Sequence, residues 1–172
     1  MLVLPIAIEE IFAQGTADQI CTDLMSALCQ LSDCDRCFLY VRRPKTGQGR
    51  ITHCYSRSSE YPDLTGGEWV EEGDVAAKDP LMAIAFRTPE AVFVEDIETA
   101  GAEVLNLDYE REGFGHRALI HAPIYHDGEL CGILEPCVFG QPRIWTEGDR
   151  QITAFVQEKL GDLIPDLLPD LL

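Results

Sequence analysis

The sequence predicts an α+β domain: a central antiparallel sheet with flanking helices. Three observations predict it. Residues 36–57 and 116–138 each read as two strands joined by a turn. Amphipathic helical stripes stand near both ends of the chain. Strands and helices do not alternate one by one, as a parallel sheet requires. The 172 residues suit one domain, and a content of 46% hydrophobic and 25% charged residues is that of a globular chain, not a fibrous or disordered one.

The elements follow in order. Residues 5–31 read as helical, with Ile6, Ile8, Ile11 and Phe12 opening an apolar stripe. Gly15 breaks it, Thr16 caps a second piece, and Ile20, Leu24, Leu28 and Leu31 share one face. Residues 36–43 form a strand, 44–49 a turn, and 50–57 the returning strand, with Arg43 set opposite Arg50. Residues 58–77 read as an acidic loop. Asp79-Pro80 opens a short helix through Arg87, with proline in a tolerated early position. Ala91 to Glu95 is a short strand, and 97–114 is loop and helix. His116 to Tyr125 is a strand, Asp127-Gly128 a two-residue hairpin turn, and Glu129 to Val138 the returning strand. A helix starts at Thr146-Glu147-Gly148-Asp149 and buries Ile152, Phe155, Val156, Leu160, Leu163 and Ile164. One domain is expected over 1–164, then a Pro/Leu-rich tail at 165–172 in which Pro165 and Pro169 stop the helix. Its leucines suit docking on a partner or on the domain itself.

Thirteen basic residues against thirty acidic ones leave a net charge of −17. Such a field repels phosphate backbones and anionic lipid, so nucleic acid is not an expected partner. No apolar run approaches the roughly 20 residues of a membrane-spanning helix, and no membrane insertion is expected. The first five residues lack the basic region and cleavage site of a signal peptide. A cytoplasmic location is expected, with the seven cysteines held as reduced thiols. Residues 34–57 carry a charge of +5 and residues 60–114 one of −12. The two stretches attract each other within the fold, or the basic strip meets an acidic partner, or both are solvated surface.

Catalytic templates are missing: the sequence has no phosphate-binding glycine motif, no His-Glu-x-x-His and no Gly-x-Ser-x-Gly. No enzymatic activity is expected. Cys29-x4-Cys34-x2-Cys37 has part of a cluster-binding spacing, but Cys34 and Cys37 fall on opposite faces of a strand, and no metal is expected. Cys37 and Cys54 fall on one face of the first hairpin. Cys131 and Cys137 share a face with Ile133 and Glu135 in the second. These four are the candidate redox thiols, with buried small apolar side chains as the plainer alternative. On its strand His121 shares a face with Arg117, Leu119 and Tyr125, whereas His116 shares the other with Ala118, Ile120 and Ala122. If the first face lines a pocket, Arg117, His121 and Tyr125 supply a charge, a switchable proton and a hydroxyl. If it faces helices or a second copy, they only satisfy hydrogen bonds. His126 sits at a turn and is expected to be solvated.

The stretch from Gly115 to Leu134, with its Arg117-Ala118, Pro123-Ile124 and Leu130-x-Gly132, resembles the central hairpin of GAF domains. Gln141-Pro142-Arg143-Ile144-Trp145 and the helix after it resemble the corresponding segment of cyanobacterial, phytochrome-type members. Cys34-Asp35-Arg36 resembles the start of their first strand, and Pro89 to Ile97 their third. The resemblance covers about residues 16–164. It implies a sheet with helices on one face and a small-molecule pocket on the other. Bilin-binding members carry a cysteine shortly before the Arg-Ala strand, where this chain reads Val104-Leu105-Asn106-Leu107-Asp108-Tyr109; a second linkage places it after an aspartate, where Asp79-Pro80 stands here. No covalent bilin is therefore expected at either position, and a non-covalent tetrapyrrole stays open. The family's pocket histidine aligns with Cys137.

The expectation is a stand-alone, cytoplasmic regulatory module of a photosynthetic bacterium. It would act through a small ligand, an unidentified protein partner, or both, as a homodimer paired by terminal helices. The expected ligand-binding residues are Trp69, Arg117, His121, Tyr125 and Cys137. The alternatives are an interaction or assembly factor with a collapsed pocket, and a thiol-based redox sensor.

Overall fold

A computed structural model describes residues 6–169. In chain order its elements are α1 (Ile6–Phe12), α2 (Ala17–Leu31), β1 (Arg36–Arg43), β2 (Gln48–Ser56), β3 (Val70–Glu71), α3 (Val75–Lys78), α4 (Pro80–Ala85), β4 (Val92–Val94), α5 (Leu107–Gly113), β5 (Ala118–His126), β6 (Glu129–Val138) and α6 (Glu147–Leu167). The strands form one antiparallel sheet in the order β3-β2-β1-β6-β5-β4. The predicted class is the observed one. The acidic loop is more structured than expected, because it contributes β3 at one sheet edge and the short α3. Asp127 and Gly128 both take positive φ (49° and 80°), as the predicted two-residue turn requires.

Helices α1, α2 and α6 cover one face of the sheet. Thr16 and Thr146 start α2 and α6 with reciprocal capping boxes, closed by Gln19 and Asp149. Leu24, Met25 and Leu28 of α2 and Val156, Leu160 and Ile164 of α6 pack on Leu39, Val41, Ile120, Ala122, Ile124 and Leu134 of the strands. This is the main core. The other face is covered by α3, α4, α5 and their loops, with two smaller apolar clusters around Leu119 and Ile133. The layers thus leave room on one side of the sheet only.

Pro165 does not stop α6, contrary to the sequence expectation. The helix runs through it to Leu167. Proline has no N–H for the carbonyl four residues back, here that of Gly161. His126 fills the gap: its Nδ1–H donates to the Gly161 carbonyl at 2.9 Å, so this histidine is not simply solvated. The approach is close because Gly161 has no side chain; a Cβ there would lie 2.6 Å from the Tyr125 carbonyl oxygen. Residues 1–5, where the signal-peptide expectation falls, and residues 170–172 of the tail lie outside the described residues. Among the described residues no helix is long and apolar enough to cross a membrane.

Two bulges overturn the predicted thiol faces. In the first hairpin Arg43 pairs with Gln48, not Arg50, and the register shifts between Leu39 and Tyr40. Cys37 then stands opposite Tyr55 and Cys54 opposite Phe38, so the two cysteines lie on opposite faces. In the second, the pairing shifts between Ile124 and Tyr125. Cys131 is the extra residue, and it turns into the helix-side core, away from Ile133 and Cys137.

Candidate functional site

Between the sheet and the layer of α3, α4, α5 and their loops lies a cavity of about 260 Å³. Phe38 and Tyr40 of β1, Ile51 of β2, Ile133 and Glu135 of β6, and His121 of β5 form its floor. Their alternation along the strands is the reason: Phe38, Tyr40, His121, Ile133 and Glu135 each stand next in the chain to a residue of the helix-side core, Leu39, Ile120 or Leu134. Met82 of α4, Tyr109 and Glu110 of α5, and Phe114 form its roof, with Val70, Glu71, Glu72 and Val75 at one end and Asp79 also in the lining.

That end is held by a clamp. Arg42 makes two bonds to the Glu72 carboxylate, each 2.8 Å, and donates to the Leu130 carbonyl at 2.7 Å. The Tyr40 hydroxyl donates to Glu72 at 2.7 Å. Burial alone would raise the Glu72 pKa, but these donors bring it below the usual value. The bidentate pair ties the loop after β3 to the sheet.

Beside the cavity two imidazoles and two carboxylates are buried together, and His121, Glu110 and Glu135 of this group line it. A carboxylate only accepts, so the histidines donate. His121 Nδ1–H reaches Glu135 Oε2 at 2.8 Å, and His116 Nε2–H reaches Glu110 Oε2 at 2.7 Å. His116 Nδ1 and Glu135 Oε1 are 3.8 Å apart, too far for a hydrogen bond. The four side chains are between 1% and 4% exposed. Among them, His121 Nε2, His116 Nδ1 and Glu135 Oε1 have no hydrogen-bond partner. A ladder of rings stands beside them: His116 stacks on Phe114, which stacks on Phe38, with centroids 5.4 and 5.8 Å apart. Unpaired buried polar atoms are costly, about 1–3 kcal/mol each. Two of these atoms, His121 Nε2 and Glu135 Oε1, are on residues that line the cavity.

Asp79 adds a titrating group. Its carboxylate caps α4 through the Leu81 N–H at 2.9 Å. Burial pushes its pKa up to about 6; Glu110 and Glu135 push the same way, and His121 opposes them. The folded state therefore holds this proton more tightly than the unfolded chain does. The resulting penalty is absent below the unfolded pKa near 4, grows as pH rises toward 6, and is full above it. Asp79→Asn keeps the cap and removes the penalty. It should raise unfolding free energy by about 2 kcal/mol at pH 8 and change it little near pH 4. Urea melts at the two pH values check this; an equal change at both would refute it.

The structure brings one predicted ligand-binding residue, His121, into the cavity wall. The other four lie elsewhere. Trp69 packs against the helix-side core, with Arg43 and Arg50 over its ring at 4.0 and 4.7 Å. Arg117 is turned to Asp96, bonded at 2.6 and 3.0 Å. The Tyr125 hydroxyl donates to the Ala85 carbonyl, which fastens α4. Cys137 is fully buried beside Leu119. His116, expected on the face of Ala118, Ile120 and Ala122, precedes the start of β5 and bonds to Glu110 on the other side of the sheet instead. Burial raises the pKa of Cys37, Cys54, Cys131 and Cys137, including Cys137, where the Arg36 guanidinium works the other way. A raised pKa disfavours the nucleophilic thiolate. Sequence reasoning missed Tyr109, Glu110, Phe114 and Glu135. Glu135 had a visible signal, as an acid in the otherwise apolar run Ile133-Leu134-Glu135-Pro136. Glu110 had none, because α5 and its flanks are acidic throughout.

The model of the GAF domain family matches residues 16–161. No curated protein sequence registers as a relative. Among solved structures, the phycocyanobilin-bound GAF domain from a cyanobacterial phytochrome is similar over 99% of this chain and 98% of its own, with 17% identity and a TM-score of 0.75. The GAF domain of a phosphoenolpyruvate-protein phosphotransferase from Coxiella burnetii is similar over 97% and 93%, with 17% identity and a TM-score of 0.72. Its counterpart from Acinetobacter is similar over 94% and 89%, with 13% identity and a TM-score of 0.70. At these identities the likeness concerns the fold alone.

Proposed function

The chain belongs to the GAF domain family, and from that premise we propose that it is a non-catalytic sensing module whose cavity takes a small ligand without covalent attachment. The observation that carries this reading is the pair of unpaired buried atoms, His121 Nε2 and Glu135 Oε1, on residues that line the cavity. The lining contains no cysteine among the described residues. A linear tetrapyrrole does not fit the site. Its two propionates would meet an acidic wall, and about 260 Å³ is just below the ~300–1,000 Å³ of drug-sized pockets. The ligand is smaller than a four-ring pigment.

The response is a shift of population. One wall of the cavity is the sheet, which is broad and fully paired in its centre. The other is built of α3, α4, α5 and loops, held by the Glu72 clamp and the Asn106 side chain, which donates to the Lys78 carbonyl at 3.1 Å. Such short elements open at lower free energy than the sheet. A ligand touching both walls favours the closed arrangement and alters the surface that α3–α5 present to a partner.

The test is a screen of one- and two-ring compounds by protein-observed NMR, on the wild-type chain and on Ile133→Trp, which fills the cavity floor. Compounds that shift the Ile133, Met82 and Tyr109 signals should lose that effect in the variant. They should also slow amide exchange over 70–86 and 107–114. Binding that survives the filled cavity unchanged would refute this reading.

A further inference from the structure

The geometry points to a ligand that is a compact planar cation, an aromatic amidine, guanidine or protonated heterocyclic amine, bound by the Glu135–His121 wall against the Phe38–Phe114 ladder. This rests on the cavity being the ligand site and goes further by naming the ligand's chemistry.

Charge is the first argument. Five carboxylates line the cavity: Glu71, Glu72, Asp79, Glu110 and Glu135. The cationic groups bonded to them are Arg42, His116 and His121. With both imidazoles protonated the acids still outnumber the bases, and with neutral imidazoles the excess is larger. The walls are apolar, so the excess acts through little water and is weakly screened. An anion is repelled from such a space, and a cation is drawn into it.

The type of hydrogen-bonding atom is the second argument. Glu135 Oε1 is an acceptor without a donor. His121 gives its Nδ1 proton to Glu135 Oε2, which leaves Nε2 as a bare acceptor in the neutral ring. The unfilled demand of this wall is therefore for N–H donors. A planar amidinium or guanidinium carries donors side by side in the plane of its charge and matches adjacent acceptors. Phe38 and Phe114 line the cavity beside this wall, and aromatic rings attract such a cation.

Asp79 provides independent support. Its carboxyl holds a proton up to about pH 6, with Glu110 and Glu135 raising that value, His121 lowering it and Tyr109 alongside. A cation in the cavity would stabilise the ionised form, so binding near pH 6 should release a proton to buffer.

The experiment uses three probes of one shape on the wild-type chain: benzamidinium, benzamide and benzoate. NMR titration should show benzamidinium binding about tenfold or more tighter than benzamide, and benzoate not binding. Glu135→Gln should remove most of that preference. Calorimetry at pH 6 in buffers of different ionisation enthalpy should show proton release on benzamidinium binding, and this needs no variant. Benzoate or benzamide binding in the cavity as tightly as benzamidinium would overturn the cationic class and leave the cavity as a ligand site. No binding by any of the three, together with no hits in the broader screen, would overturn both.

Discussion

Trp145→Ala should bring the domain close to unfolding. The indole is 3% exposed, packs in the helix-side core, and donates its Nε1–H to the Val94 carbonyl at 3.0 Å. Val94 belongs to β4, the edge strand, which pairs only with β5 through three residues. The Trp145 bond therefore fastens the free side of that edge, helped by the Arg143 N–H, which donates to the Glu95 carbonyl at 2.9 Å. Truncation of a buried tryptophan costs about 3–5 kcal/mol, and an orphaned carbonyl adds to it. Whole domains hold only about 5–15 kcal/mol. Trp145→Phe keeps most of the apolar volume and loses the bond, for about 1–3 kcal/mol. Urea melts of both variants check the ranking, and the phenylalanine variant remains measurable if the alanine one does not fold. An alanine variant within about 1 kcal/mol of wild type would remove Trp145 as the fastening of β4.

Arg36→Ala should cost about 3–5 kcal/mol and loosen the proposed ligand site as well. Arg36 is fully buried. It donates to the Pro62 carbonyl and the Phe114 carbonyl, both at 3.1 Å, with its guanidinium 4.8 Å over the Phe139 ring. It thus joins the first strand, the loop after β2 and the end of α5. Removal leaves a cavity and two carbonyls without their donor. Arg36→Lys should recover less than half of the loss, because one ammonium cannot span two acceptors set for a planar fork. Phe114 lines the ligand cavity and is held by this bond, so affinity for benzamidinium should fall in parallel. A lysine variant as stable as wild type would show that the charge suffices without the fork.

Architecture was legible in the sequence because it is written in local periods. Alternation over 36–43 and 118–126, the Asp127-Gly128 turn and the stripe from Ile152 to Ile164 each depend on near neighbours. Family-like motifs at 115–134 and 141–145 added the order of elements. Pro165 misled because the residue that repairs its missing bond, His126, is remote in sequence.

The site was legible in one residue, His121, and the reason is geometric. Face alternation places His121, but its partner Glu135 is known only once β5 and β6 are in register. A single bulge moved Cys131 to the other face, and another separated Cys37 from Cys54, because a slip of one residue reverses every side chain beyond it. The excess of acid was countable from composition, yet Glu72 lies in an ion pair, Glu135 in a histidine pair and Asp79 as a cap. Sequence by itself determined the fold class and the order of its elements. Only the tertiary structure decided which polar atoms are left beside the cavity without a partner, since that depends on distances between β5, β6 and α5 that no local pattern encodes.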